Sequence, residues 1–299
     1  MFNLKHIAAV VDFRQAKHFS LPRAIEMARL FDCKITILSN TYESFMDFIP
    51  SGSAIDGQFI KAEAIQQNLD KLKKLVEEVD SSGIEINYQV LWSKSLHAGL
   101  SEFINEHEFD LVVKTAHHHS SLKKLLSTPT DWSLLRDTKT NILFVKNGMW
   151  PSKTSILGAI NIEDDEAHRK LNKKIISTTV ELAKKCHSSA NILNVFPWPM
   201  VKFEKFNHLF NKKDLFLDIK QKHSKAVKDF VMSVSTISGK VIVAEGLEPE
   251  ETIPEIVKST YSDLLVMGTV GRKGLQAAVM GNTAEKILDE LECEVLALK

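Results

Sequence analysis

Short apolar runs alternate with longer amphipathic stretches along the whole chain. In the first half, apolar runs begin at Ile7, Ile35, Leu111 and Ile142, an alternating stretch begins at Ile84, and stretches with helical spacing separate them. Continuous apolar runs are typical of strands buried on both faces, and apolar residues spaced by three and four indicate helices. The pattern predicts alternating strands and helices, and therefore an α/β fold with a parallel sheet covered on both faces.

The second half of the chain repeats this order. Residues 108–114 resemble residues 261–267, and residues 141–146 resemble residues 293–299. A repeat of about 150 residues has the size of a domain, whereas solenoid repeats are far shorter. The sequence therefore predicts an internal duplication, with one domain over 1–148 and a second over 149–299.

A glycine-rich stretch follows the apolar run that ends at Met267. It contains Gly268, Gly271 and Gly281, and it leads into a helical pattern that starts near Ala284. Glycine lets backbone N–H groups approach an anion, and a helix N-terminus adds unpaired donors. The layout is typical of a phosphate-binding loop; a glycine-rich connection without a ligand is the alternative.

Composition narrows the choice of partners. Lys and Arg number 38, and so do Asp and Glu, so the formal net charge of the chain is zero. We expect neither nucleic acid nor membrane as a partner, because no overall positive charge and no long apolar segment is present. The three cysteines are far apart and form no C-x-x-C pair, which favours a reducing cytoplasm over a disulfide or zinc framework.

The sequence gives little sign of an enzyme. No P-loop, nucleophile elbow or H-E-x-x-H motif occurs, and we identify no base for phosphoryl transfer. Three consecutive histidines begin at His117, but neighbouring side chains of a strand point to opposite faces, so we predict no metal site there. A weak ATPase or phosphotransferase remains the alternative.

An aromatic stretch follows Pro199. Phe203, Phe206 and Phe210 recur with helical spacing. One interpretation is a helix that packs on the sheet or on the other domain. The other is an apolar lid over a cavity for an acyl or aromatic ligand.

The glycine stretch carries a resemblance to a known family. Gly268-x2-Gly271-x9-Gly281-Asn282 closely resembles the G-x2-G-x9-G-[ST] signature of the universal stress protein family. Residues 128–136, 267–274 and 281–285 are similar to those of its tandem-domain E group. The resemblance implies two flavodoxin-like (Rossmann-like) domains in tandem, each with a five-stranded parallel sheet of order 3-2-1-4-5.

The resemblance also implies a nucleotide site in the second domain, for ATP or AMP, with Mg²⁺ accompanying the phosphates. In family members that bind ATP, an Asp after the first strand and a backbone position at the end of the second contact adenine. These positions hold Asn161 and Val195 here. The glycine motif would hold the phosphates, through the residues Gly268, Gly271, Arg272, Gly281, Asn282 and Thr283.

The first domain retains only a remnant of that pattern. Asp12 occupies the position that contacts adenine. Lys114 to His117 is expected to stand where the other domain has Gly268 to Gly271, and Asp131 places a negative charge where a phosphate would sit. We therefore expect no nucleotide there, although Lys114 and His117 suit a small anion pocket.

The combined expectation is a cytoplasmic stress-response protein that binds, senses or protects and is not an enzyme. Its ligand is expected to be an adenine nucleotide or another small molecule. An apolar-ligand protein and an interaction protein are the alternatives. The resemblance further implies an intrachain pseudo-dimer of the two domains, in which residues 142–145 pair with residues 295–298.

Overall fold

The computed structural model describes residues 2–48, 56–116, 126, 128–162, 165–196, 212–246, 248–269 and 282–299. The chain divides into two compact units. The first contains the described residues from Asn3 to Met149, and the second contains Phe2 and the described residues from Trp150 to Lys299. We call these units the first and the second domain. The boundary at 148/149 stays a prediction.

The first domain alternates strands and helices, with one short 3₁₀ helix at Ser44–Phe48. Its five strands are β1 (His6–Val10), β2 (Lys34–Thr41), β3 (Ile86–Trp92), β4 (Leu111–Thr115) and β5 (Asn141–Val145). Its helices are α1 (Ser20–Phe31), α2 (Gly57–Glu77), α3 (Leu96–Glu106) and α4 (Pro129–Asp137).

The second domain has the same order of elements. Its strands are β6 (Ser155–Ile160), β7 (Ser189–Phe196), β8 (Val241–Glu245), β9 (Leu264–Gly268) and β10 (Glu294–Leu298). Its helices are α5 (Glu166–Lys185), α6 (Lys212–Val234), α7 (Pro249–Ser259) and α8 (Asn282–Glu290).

Both sheets are parallel and have the predicted strand order. In the first domain the order is β3-β2-β1-β4-β5, and in the second it is β8-β7-β6-β9-β10. Right-handed crossovers place helices on both faces of each sheet, so the strands are buried and carry the apolar runs of the sequence. The predicted fold class is confirmed.

Strand register fixes which residues of the two domains are equivalent. Leu111 on β4 pairs with Ile7, and Leu264 on β9 pairs with Ile156. Ile7 and Ile156 are the second residues of the equivalent strands β1 and β6, so Leu111 is the equivalent of Leu264. Four residues further along these strands, Thr115 is the equivalent of Gly268. The expectation that Lys114 stands at the position of Gly268 is therefore wrong by one residue, because the strand register shifts the match.

Candidate functional site

The candidate site of the second domain lies where β6 ends. This strand is central, since β7 pairs with one side of it and β9 with the other. Asn161, the next residue, is exposed. In open parallel sheets, ligands bind beyond the carboxyl ends of the strands, where the chain turns to opposite sides. Asn161 therefore lies at the edge of the sheet where a ligand is expected.

Two buried asparagines hold the backbone around Asn161. The Nδ2 atom of Asn194 donates to the carbonyl oxygen of Ile160 at 3.1 Å. The Oδ1 atom of Asn172 accepts the N–H of Asn161 at 3.3 Å, and its Nδ2 donates to the carbonyl oxygen of Asn161 at 2.6 Å. Asn172 is 5% exposed and Asn194 is 1% exposed. We call this pair the asparagine clamp, because it fixes both polar ends of the Ile160–Asn161 peptide.

His223 on α6 completes the hydrogen bonds of Asn194. Its Nε2 lies 2.7 Å from Oδ1 of Asn194, and its ring centroid lies 4.7 Å from that of Phe196. The carbonyl oxygen of Ile160 can only accept, so it faces Nδ2 of Asn194 and leaves Oδ1 toward the histidine. Because an amide oxygen also only accepts, Nε2 of His223 carries the hydrogen.

Burial lowers the pKa of His6, His18 and His223 below the usual value. The pKa of a histidine in the unfolded chain is about 6.5. Below that pH the unfolded chain binds more protons than the folded protein, in which the pKa is lower. The stability that these buried neutral histidines contribute is therefore complete above about pH 6.5 and is lost as the pH falls toward the folded pKa. We expect the free energy of unfolding, measured with urea, to decrease from about pH 7 to pH 5. His223→Gln should make the free energy of unfolding depend less on pH in this range. An equal pH dependence in both proteins would contradict the lowered pKa of His223.

Val195 and Gly268 have structural roles in the described part of the chain. Val195 is buried, and its backbone is paired with Ala244 on β8. A Cβ atom on Gly268 would lie 2.4 Å from Cδ2 of Leu171 on α5. A larger residue at 268 would therefore require the Leu171 side chain or α5 to shift. Contacts of these two residues with a base or a phosphate stay predictions.

The other predicted residues of this site follow the glycine stretch. Asn282 is the first residue of α8, and Thr283 is exposed. Several predicted residues lie outside the described residues, namely His117, Phe203, Phe206, Phe210, Gly271, Arg272 and Gly281.

In the first domain, Asp12 is bound by the chain itself. Arg14 donates to its carboxylate through Nε at 2.9 Å, through Nη2 at 2.8 Å and through its backbone N–H at 3.0 Å. Burial alone would raise the pKa of Asp12, but the hydrogen bonds and charge of Arg14 outweigh it, so the pKa is lowered. The carboxylate that the resemblance assigns to adenine is engaged by a guanidinium group.

A buried ion pair lies beside the N-terminus of α4. Lys114 is 1% exposed, Asp131 is 0% exposed, and Nζ of Lys114 contacts Oδ1 of Asp131. Thr128 and Asp131 form a capping box, in which the threonine hydroxyl accepts the N–H of residue 131 at 3.3 Å and Oδ2 of the aspartate accepts the N–H of residue 128 at 3.3 Å. The hydroxyl also donates to the same carboxylate at 2.7 Å. A side-chain carboxylate therefore occupies the helix N-terminus at which an anion would bind.

The second domain has apolar residues at the equivalent positions. Strand register makes Met267 the equivalent of Lys114. Glu294 on β10 and Asn141 on β5 are equivalent, because they pair with the equivalent residues Leu264 and Leu111. Ala284 precedes Glu294 by the same interval as Asp131 precedes Asn141. Ala284 is therefore the equivalent of Asp131. The charged pair is thus a feature of the first domain that the second replaces with apolar side chains.

The described residues contain no group of three or more His, Cys, Asp or Glu side chains that could hold a metal ion. Among the helices of this part of the chain, none is both long enough and apolar enough to span a membrane.

Comparison with known proteins identifies the family. The sequence model of the universal stress protein family matches residues 3–146 and again residues 168–299. The chain belongs to the universal stress protein family. The match occurs twice, as the internal duplication predicts.

Related proteins match this universal stress protein along almost the whole of its sequence. It is 28% identical to Universal stress protein E of Escherichia coli K12 over 99% of this chain and 94% of that protein. It is 27% identical to a Universal stress protein E homolog of Haemophilus influenzae over 99% and 97%. The predicted resemblance to the E group is confirmed.

Solved structures agree with the fold. A protein of Pseudomonas aeruginosa PAO1 whose function is unknown superimposes with a TM-score of 0.73 at 25% identity, over 99% of this universal stress protein and 92% of the other chain. A universal stress protein from Archaeoglobus fulgidus gives a TM-score of 0.65 at 13% identity over 98% of both chains.

Sequence reasoning missed three residues of this universal stress protein that surround Asn161. They are Asn172, Asn194 and His223. One signal was available, since Asn194 interrupts the apolar run from Ile192 to Phe196. A polar amide within a strand buried on both faces needs internal partners, and the sequence could not show which side chains supply them.

Proposed function

We propose that this universal stress protein is a binding or sensing protein whose second domain binds an adenine nucleotide at Asn161. The observation that carries the proposal is the difference between the two strand ends. In the second domain, the exposed Asn161 stands on a backbone fixed by the asparagine clamp. In the first, Asp12 is engaged by Arg14, and a carboxylate fills the α4 N-terminus.

The chemistry of an amide supports adenine as the base. A side-chain amide presents one donor and one acceptor side by side, and adenine offers the matching amino group and ring nitrogen. On its N7 edge guanine offers two acceptors, O6 and N7, so an amide pairs with that edge of adenine and not of guanine. Guanine matches an amide only on its other edge, through O6 and N1–H. The nucleotide phosphates would lie at the glycine stretch, as the resemblance implies.

Titration calorimetry with ATP and with GTP tests this proposal. We expect ATP to bind more tightly than GTP, and Asn161→Ala to weaken ATP binding about tenfold, because one or two hydrogen bonds of about 1 kcal/mol each are lost. Asp12→Asn is the matched control in the first domain and should leave ATP affinity unchanged. Equal ATP affinity in the Asn161→Ala variant and the unaltered protein would contradict the site.

Native mass spectrometry of gently purified protein separates the other candidate functions. A bound adenylate mass supports the nucleotide site, whereas a lipid-like mass supports the apolar-ligand alternative. Hydrolysis of ATP above a Gly271→Ala control would instead indicate a weak ATPase. The cytoplasmic location, the pseudo-dimer and a bound Mg²⁺ stay predictions.

A further inference from the structure

The asparagine clamp distinguishes the second domain from the first. Register makes Ser39 on β2 the equivalent of Asn194, because Val10 pairs with Leu38 as Ala159 pairs with Leu193. The buried hydroxyl of Ser39 has no hydrogen-bond partner among the described residues.

The other clamp residue has no counterpart in helix α1. The N–H of Cys33 donates to the carbonyl oxygen of Ala28 after α1, as that of Ser188 does to Ala183 after α5, so the two helices match from their C-terminal ends. Helix α5 is the longer one, and Asn172 lies in its N-terminal part, before the position that corresponds to Ser20. The same fold thus forms in the first domain without either amide.

A polar network that the fold does not require needs another explanation. Burying amide groups costs free energy unless every donor and acceptor is paired, and a paired network fixes the groups that it contacts. Among the described residues, the side-chain hydrogen bonds of Asn172 and Asn194 end at the Ile160–Asn161 backbone or at His223. The network acts on one short segment, and that segment carries the candidate ligand-binding side chain.

We propose that Asn172, Asn194 and His223 are positioning residues that hold Asn161 ready for its ligand. His223 orients the amide of Asn194, which holds the carbonyl of Ile160, while Asn172 holds the backbone of Asn161 from α5. A binding group that is already ordered loses less conformational entropy when the ligand binds. The inference rests on the proposed function, since it assigns these residues to the same site.

Helix α6 is linked to the site through hydrogen bonds, from His223 to Asn194 and from Asn194 to the carbonyl oxygen of Ile160. His223 lies in the middle of α6, and its ring packs at a tilt against Phe196 at the end of β7. A ligand that contacts Asn161 is therefore separated from α6 by one peptide unit and one side chain. Substitutions at His223 should alter ligand affinity although the histidine itself contacts no ligand.

Two variants of His223 and one control test the inference. His223→Phe keeps a ring against Phe196 but removes the donor to Asn194, whereas His223→Gln retains an N–H donor. His97→Phe, on α3 of the first domain, is the matched control. Asn172→Leu replaces the buried amide with an apolar side chain of similar size and removes the other half of the clamp.

Hydrogen exchange at the Asn161 amide is the first measurement, because it needs no ligand. We expect exchange about tenfold faster in His223→Phe and in Asn172→Leu, since local opening becomes easier. His223→Gln and His97→Phe should exchange as the unaltered protein does. Unchanged exchange in His223→Phe and Asn172→Leu would overturn the positioning role, whatever the protein binds.

Titration calorimetry with ATP is the second measurement. Loss of a group that orients a binding residue should weaken affinity about tenfold in His223→Phe, with rescue by His223→Gln. Faster exchange with unchanged ATP affinity would overturn the assignment to the ligand site. If the unaltered protein binds no ATP and the variants still exchange faster, the proposed nucleotide is refuted. The conclusion that these residues position Asn161 then still holds.

Discussion

Asp131→Ala should lower the free energy of unfolding of the first domain by about 3–5 kcal/mol, because it leaves the buried Lys114 cation without its carboxylate. Lys114→Met should have a similar effect, since Asp131 then remains charged and buried. Both side chains are almost fully inaccessible, so water cannot replace the lost partner. Urea denaturation, followed through hydrogen exchange of first-domain amides, assigns the change to this domain.

The double variant Lys114→Met with Asp131→Ala is the decisive comparison. It reproduces Met267 and Ala284 of the second domain, and apolar replacement of a whole buried ion pair is often neutral or stabilising. We expect the double variant to recover most of the stability lost in either single variant. The exposed Lys222–Asp218 pair on α6 is the control, and its removal should have little effect. Additive losses at 114 and 131 would show that the two charges do not interact.

Gly268→Thr should destabilise the second domain by about 1–3 kcal/mol through overpacking. The new Cβ would lie 2.4 Å from Cδ2 and 3.0 Å from Cγ of Leu171, so α5 or its side chain must move. The first domain has Thr115 at the position of Gly268, and its hydroxyl accepts the backbone N–H of Ser20, the first residue of α1, at 2.8 Å.

A compensating substitution tests that explanation. Leu171→Ser in the Gly268→Thr background removes the side-chain atoms that the new threonine would contact, and we expect the double variant to be more stable than the sum of the two single losses predicts. Leu171→Ser alone shows the loss that comes from removing the leucine. Thermal and urea unfolding of the three variants provide the comparison. If the double variant is as unstable as the sum of the singles, the glycine is required for another reason.

The two domains differ at equivalent buried positions, where the first has charged side chains and the second has apolar ones. The first domain holds Asp12 with Arg14 and fills the α4 N-terminus with Asp131. The second retains the glycine stretch and supports Asn161 with buried amides. In our proposal, ligand binding therefore belongs to the second domain, and the first domain is stabilised by its own charges.

The sequence alone determined the fold, the duplication and the family of this protein. Apolar runs and helical spacing are local properties, and a parallel sheet buried on both faces leaves a strong record of them. Every predicted strand and helix in the described residues has a counterpart in the structure. The glycine signature identified the family because its spacing is specific, even though several of its residues lie outside the described ones.

Only the tertiary structure decided which residues support Asn161 and why the first domain differs. Asn172, Asn194 and His223 come from a helix, a strand and a second helix that are distant in the sequence, and no local pattern links them. Hydrogen-bond partners and side-chain volumes are properties of packing, so they become visible only when the elements are placed in contact.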